Sequence, residues 1–295
     1  MGYKTPIDLD KAIKSNAKSS SMDTNRAYVG FFFHRLLCRV FSVPDSHFLL
    51  KGGQSVLART PDARATRDID LLSEDGDLEQ AIDELKALAS MDMGDFVTFE
   101  HFKTVPIKAE DEYRAGACVS FHVWIGARRV QDISVDLVVD EVPQESFDVL
   151  TPADRIEVRD IPVCDYRMYT AESSLADKLC GIVEQHDGRP SSRQKDLVDV
   201  IVYAMSCEID GSLLSRRLRL ECSARKIDLP DHFEVPVEWR GAGETRFVKL
   251  CRQTPLAFSV GGLDAAVDIA AGLFNPVLDG TACGKKWVPA LREWL

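Results

Sequence analysis

Residues 48–57 read Phe-Leu-Leu-Lys-Gly-Gly-Gln-Ser-Val-Leu, and residues 64–72 read Arg-Ala-Thr-Arg-Asp-Ile-Asp-Leu-Leu. The first stretch is a short apolar run that ends in a diglycine. The second sets two carboxylates one residue apart. If residues 67–72 are extended, alternate side chains share a face, so Asp68 and Asp70 project together while Ile69 and Leu71 enter a core. Their Cα atoms then lie about 6.6 Å apart, from a rise of about 3.3 Å per residue. Carboxylates at that span can share divalent metals, which sit about 3.5–4 Å apart in two-metal sites. Lys51-Gly52-Gly53 precedes a helix expected to open at Gln54 or Ser55, and such a turn presents backbone N–H groups to an anion. Lys51, Gly52, Gly53 and Ser55 are therefore candidates to hold a donor's phosphates. A phosphate cradle beside a carboxylate pair points to phosphoryl or nucleotidyl transfer. The plainer readings are a tight turn and a solvent-facing strand edge.

Working outward, Thr24–Phe41 has apolar residues at helical spacing (Val29, Phe32, Phe33, Leu36, Leu37, Val40), and Asp77–Ala89 has Leu78, Ile82, Leu85 and Leu88. Residues 96–102, 118–125 and 130–139 read as strands. The last alternates, with Asp132, Ser134 and Asp136 on one face and Ile133, Val135 and Leu137 on the other. Asp136 is the natural third carboxylate, since a charge inside an apolar strand needs a metal or an arginine to pair it. After about residue 160 the pattern turns helical: Ala171–Gln185 behind a Thr170 cap, then Gln194–Cys207, Gly211–Ser223 and Gly262–Phe274. The chain reads as α/β (α+β) with two lobes, a mixed β-sheet lobe over 1–160 and a mainly helical lobe over 161–295.

Composition limits the alternatives. The chain has 295 residues, 45% hydrophobic and 28% charged, as in an ordinary globular protein. A formal net charge of −11 argues against a general nucleic-acid binder. Eight cysteines without CxxC spacing make a zinc site unexpected and suit a reducing cytosol. No signal peptide is evident, and His34, Arg35 and Arg39 interrupt the apolar run 29–43, so no membrane span is expected. None of the six histidines has ligand spacing.

In the helical half, Lys178 falls at the margin of the apolar face of its helix, where it can snorkel to solvent or neutralise a triphosphate. Asp196 sits in a first helical turn, where the helix dipole alone favours a carboxylate. Arg189, Arg193 and Lys195 surround that turn, and Arg216, Arg217, Arg219, Arg225 and Lys226 form a second basic stretch. These are either solvated faces or contacts for RNA.

Taken in order, these motifs resemble the AbiEii/AbiGii-type nucleotidyltransferase toxins, including their MenT-type members. Lys-Gly-Gly-x-Ser-x-Leu (51–57) and Arg-x-Thr-x-Asp-Ile-Asp-Leu (64–71) are similar to the first family motif. Tyr169-x-x-Glu172-x-x-x-Ala176-x-Lys178-Leu179 is similar to the lysine motif. Arg193-x-Lys195-Asp196-Leu197-x-Asp199 is similar to the Lys-Asp-Leu-x-Asp motif, and Phe274-Asn-Pro-Val-Leu, Trp287 and Trp294 to the family's C-terminal end. The resemblance implies a bilobed nucleotidyltransferase fold and a cytoplasmic toxin with a cognate antitoxin. It also implies Mg2+ (or Mn2+) and an NTP donor, with NMP transfer to the 3′ end of tRNA. Asp68, Asp70 and Asp136 would be the metal-binding carboxylates, Lys178 would meet the nucleotide phosphates in a cleft between the lobes, and Asp196 would be the essential acid of the last motif. Thr66 stands where a family member carries a regulatory phosphorylation. A protein or small-molecule acceptor, a kinase-like phosphotransferase and a catalytically inactive nucleotide-binding partner remain the alternatives.

Overall fold

A computed structural model describes the chain apart from residues 1, 45, 67, 75, 108–113, 141, 143, 186 and 187. The expected strand start at Arg67, and His186 and Asp187 of the turn before the second C-terminal helix, lie outside the described residues. The chain forms two compact units. The first holds Met1–Pro61 and Ala65–Met168; the second holds Asp62–Arg64 and Tyr169–Leu295.

The first unit begins with α1 (Pro6–Ser19), whose Thr5 side chain accepts from the Asp8 N–H, and α2 (Thr24–Val40), capped by Asp23. Then follow β1 (Phe48–Lys51), α3 (Gly52–Arg59), β2 (Asp68–Ser73) and α4 (Leu78–Ala89). The remaining strands are β3 (Val97–Pro106), β4 (Arg114–Ile125), β5 (Arg128–Asp140), β6 (Phe147–Leu150) and β7 (Tyr166–Tyr169). Among the described residues they make a seven-stranded sheet in the order β3-β4-β5-β2-β1-β7-β6. The sheet is mixed, because β2 runs antiparallel to β1 and parallel to β5.

Period-two patterning divides the two faces of this sheet. Ile69, Leu71, Val119, Phe121, Ile133, Val135 and Leu137 bury into one core with Leu9, Ile13, Phe32, Leu36 and Leu85 of the helices. The opposite face carries Asp68, Asp70, Asp132, Ser134 and Asp136. α2 is buried on most sides in its second half, where Arg35 and Arg39 converge on the buried Asp95 at 2.5 and 2.9 Å. Those guanidiniums, which break the run as a membrane span, are thus paired inside the protein. No helix among the described residues is long and apolar enough to cross a membrane.

The second unit contains α5 (Ala171–Val183), α6 (Gln194–Ser206), β8 (Ile209–Asp210) and α7 (Gly211–Arg225). It continues with α8 (Glu244–Cys251), α9 (Pro255–Phe258), α10 (Leu263–Leu278), β9 (Lys286–Val288) and β10 (Glu293–Trp294). Thr170 caps α5 by accepting from the Ser173 N–H at 3.1 Å. The two C-terminal tryptophans are anchors: Trp287 donates to the Ala204 carbonyl at 2.7 Å, and Trp294 to that of Leu273 at 3.1 Å. All eight cysteines are free thiols.

Candidate active site

The site of the first unit is built from strand register. β2 and β5 pair in parallel with Asp70 opposite Asp136 and Asp68 opposite Ser134. β1 sets Lys51 opposite Asp70, and β4 sets Cys118 opposite Asp136. Residues paired across a ladder share a face. One row therefore runs Lys51, Asp70, Asp136, Cys118 over four adjacent strands spaced about 4.8 Å apart. Asp70 and Asp136 are half-buried and Asp68 is exposed. Burial and a hydrogen bond to Asp136 raise the Cys118 thiol above its ordinary value. Cys118 is a member of the row that sequence reasoning missed, although its alternation within residues 118–125 could have placed it on the polar face.

The diglycine turns straight into helix. α3 begins at Gly52, two residues before the expected start, with Lys51 as its N-cap residue. Gly52 has φ +63°, and a Cβ there would lie 1.9 Å from Asp70 Oδ2 and 2.5 Å from Asp70 Cγ. Only a glycine lets the backbone approach the carboxylate so closely. The first N–H groups of α3 have no intrahelical acceptor, so this turn presents donors beside the acidic row. Ser55 is buried, and its hydroxyl donates to the Gly52 carbonyl at 2.8 Å, pinning the turn. The Thr66 hydroxyl donates to the Asp68 carbonyl at 3.3 Å.

The carboxylates supply hard oxygen donors, the type that Mg2+ and Mn2+ take. Glycine at position 52 lets the Asp70 carboxylate take the space a side chain would otherwise fill. Among the described residues, no group of three or more His, Cys, Asp or Glu side chains is gathered closely enough to enclose an ion. Asp70 and Asp136, side by side in register, are a pair of hard donors of the kind a divalent metal takes, with Asp68 two residues along β2.

In the second unit, Lys178 is not at a solvent margin. It is 5% exposed, with Nζ 2.7 Å from Asp199 Oδ2 and 3.6 Å from Asp196 Oδ1. α5 packs against both α6 and α7, so the helix has no solvent side at that position. Burial by itself would lower the Lys178 ammonium, but Asp199 and Asp196 more than offset it and hold it above its ordinary value. Burial likewise opposes ionisation of Asp199, yet Lys178 and Arg64 hold that carboxyl below the usual range. Arg64 grips Asp199 with two hydrogen bonds of 2.9 Å each, and Arg193 Nε lies 2.5 Å from Asp196 Oδ2. Asp199 is thus the centre of the network. It closes the quoted Lys-Asp-Leu-x-Asp motif, and that position was the available signal.

The basic residues separate. Arg189, Lys195, Arg216 and Arg219 are exposed. Arg217 does not belong to a surface stretch: it is 1% exposed, 3.6 Å from Glu221 one turn away. Arg225 is also buried, bound to Asp177, Glu184 and Glu221. α7 packs against α5 along that side, and of the basic stretch Arg216, Arg219 and Lys226 stay exposed.

Comparison with known proteins gives the class and then the family. JHP933 from Helicobacter pylori aligns over 86% of this chain and 95% of its own, at 15% identity and a TM-score of 0.45. MenT4, the nucleotidyltransferase toxin Rv2826c from Mycobacterium tuberculosis H37Rv, aligns over 89% of this chain and 92% of its own, at 14% identity and a TM-score of 0.49. A search of curated proteins finds no significant match. The family model for the nucleotidyl transferase AbiEii toxin of type IV toxin–antitoxin systems matches residues 35–255. The class is therefore nucleotidyltransferase. More narrowly, the match spans more than half of the chain, and the chain belongs to the AbiEii toxin family.

Proposed function

We propose that this chain transfers a nucleoside monophosphate from an NTP to the 3′ end of tRNA, blocks translation by doing so, and is restrained by a cognate antitoxin in the cytoplasm. The observation that carries the reading is Gly52 packed against Asp70, with Asp70 in register with Asp136 at the mouth of a helix N-terminus. Asp68, Asp70 and Asp136 would hold the divalent ion, Mg2+ or Mn2+. When bound, it would neutralise charge on the α-phosphate and the departing pyrophosphate. The N–H groups at the start of α3, with Gly52, Gly53, Lys51 and the Ser55-pinned turn, would cradle donor phosphates. Asp136 would accept the proton of the attacking ribose hydroxyl. Lys178, buried and kept cationic by Asp199 and Asp196, is proposed to hold that acidic motif in place with Arg64 and Arg193 rather than to meet the nucleotide phosphates itself. The exposed Arg189, Lys195, Arg216 and Arg219 are the proposed basic contacts for the acceptor, and Thr66 is a proposed phosphorylation site.

The test is a transfer assay with each NTP labelled in turn at the α- and the γ-phosphate, Mg2+ and total tRNA, beside an Asp70→Asn control. Label in tRNA that the control loses supports the reading. Label arriving only from the γ-phosphate would identify a kinase and refute it. Label in protein rather than tRNA would refute the acceptor while keeping the transfer chemistry.

A further inference from the structure

The polar sheet face continues beyond the carboxylates in ordered rows. Next to the row of Asp70 and Asp136 runs Asp68, Ser134, Ser120 and Lys103, with the two serine hydroxyls 3.1 Å apart. The following row pairs Asp132 with His122, their side chains 2.9 Å apart. Phe102 then stacks flat on the His122 ring, with centroids 3.9 Å apart and planes at 7°. β3 shifts register between His101 and Lys103, so Phe102 is the extra residue of a bulge that turns its ring onto this face. The Phe102 ring is 43% exposed, unusual for a phenylalanine in an ordered strand. One row further lies Trp124, its indole N–H bonded to Glu100 at 3.1 Å.

We propose that the stacked Phe102–His122 pair is a platform for an unpaired base of the RNA acceptor, leading its 3′ end toward Asp70 and Asp136; this inference rests on the transfer to RNA proposed above. Three features favour RNA over an apolar partner. The platform lies on the same face as the carboxylate row, about 13 Å along β5 from Asp136 to Asp132, a distance an extended strand of few nucleotides spans. Exposed Lys103 stands in the intervening row, where a backbone phosphate would pass. Of the two acids beside the platform, Asp132 is neutralised, since it accepts from Arg129 at 2.7 Å and is bonded to His122, and Glu100 is turned to the Trp124 indole, from which it accepts at 3.1 Å. Stacking on an aromatic face tolerates any base, so the platform adds affinity for single strands without reading sequence.

The test measures binding of a short fluorescent single-stranded RNA, the matching duplex and Mg·NTP to the wild type and to Phe102→Ala, Phe102→Trp and Lys103→Ala. Phe102→Ala should weaken the single strand about tenfold, within the range known for base–aromatic stacking. Duplex and NTP binding and the melting temperature should stay the same. Phe102→Trp should restore binding, and Lys103→Ala should flatten its salt dependence by about one unit of slope. Single-strand affinity unchanged in Phe102→Ala would overturn the platform while leaving the acceptor intact. A wild type that binds Mg·NTP but no RNA would overturn the acceptor and the platform with it.

Discussion

Gly52→Ala is the sharpest test of how the catalytic row is assembled. The new Cβ would meet Asp70 Oδ2 at 1.9 Å, Cγ at 2.5 Å and Cβ at 2.9 Å, all at a backbone φ of +63°. An L-residue at that φ costs roughly 1–2 kcal/mol. Driving Asp70 off its rotamer adds about 0.5–1.5 kcal/mol. The sum, roughly 2–3 kcal/mol, corresponds to a fall in melting temperature of roughly 5–10 °C for a unit of this size. Activity should suffer more than stability. The carboxylate must retreat by about 1 Å to reach even a tight contact, and misplacement on that scale costs on the order of a hundredfold in rate. The assay is kcat for α-phosphate transfer, measured well below the melting transition, with Asp70→Asn as the floor. Gly30→Ala is the control, because a Cβ at Gly30 meets nothing within 4 Å and lies inside helix α2; it should be neutral or slightly stabilising. Wild-type turnover in Gly52→Ala would refute the idea that this glycine exists to let the backbone reach Asp70.

Other expectations follow from the same geometry. Asp136→Asn should abolish transfer while leaving the melting temperature within about 2 °C, since the half-buried face tolerates the isosteric amide; unfolding of this variant would mean that the carboxylate is structural. Lys178→Ala takes the ammonium from two buried carboxylates that keep Arg64 and Arg193, and should cost about 1–3 kcal/mol by chemical denaturation, whereas Lys178→Arg should retain most of the stability. Asp199 is held below its ordinary value of 3.8, so its contribution is complete above pH 3.8 and is lost as the pH falls below it. Acid unfolding of the wild type should therefore be steeper in that window than that of Asp199→Asn, and parallel curves would count against the assignment. Asp95→Ala should destabilise by about 3–5 kcal/mol, read by the same denaturation, because it leaves Arg35 and Arg39 buried without their partner.

Much of the first unit could be read from local periodicity. Asp68 and Asp70 on one side of β2, with Ile69 and Leu71 on the other, needs only an alternation of two, and the same rule oriented Asp136 on β5. Register was not legible. That Asp70 stands opposite Asp136, and that Cys118 flanks it, depends on which strands pair, and the sequence of either strand alone is silent on this. Short strands such as β6 and β7 carry too few residues to show a period. Lys178 exposes a different limit: an angle on a helical wheel predicts exposure only if one side of the helix meets water, and α5 is packed on both. The arginines of α7 repeat the lesson, since a run of charge looks solvated until Arg217 and Arg225 find carboxylates in the core.

Residues 62–64 belong to the second unit although the chain on either side of them belongs to the first. The second unit is therefore not a contiguous module. A fragment beginning at Tyr169 would lack Arg64 and so leave Asp199 without the guanidinium that grips it from 135 residues upstream. Cutting the gene once, at any codon, cannot yield both halves whole. Recombination that exchanges the helical portion between relatives would have to carry a three-residue passenger from the other end of the reading frame. A chimera that exchanged residues 169–295 alone would keep a guanidinium on Asp199 only if the host already carried an arginine at position 64.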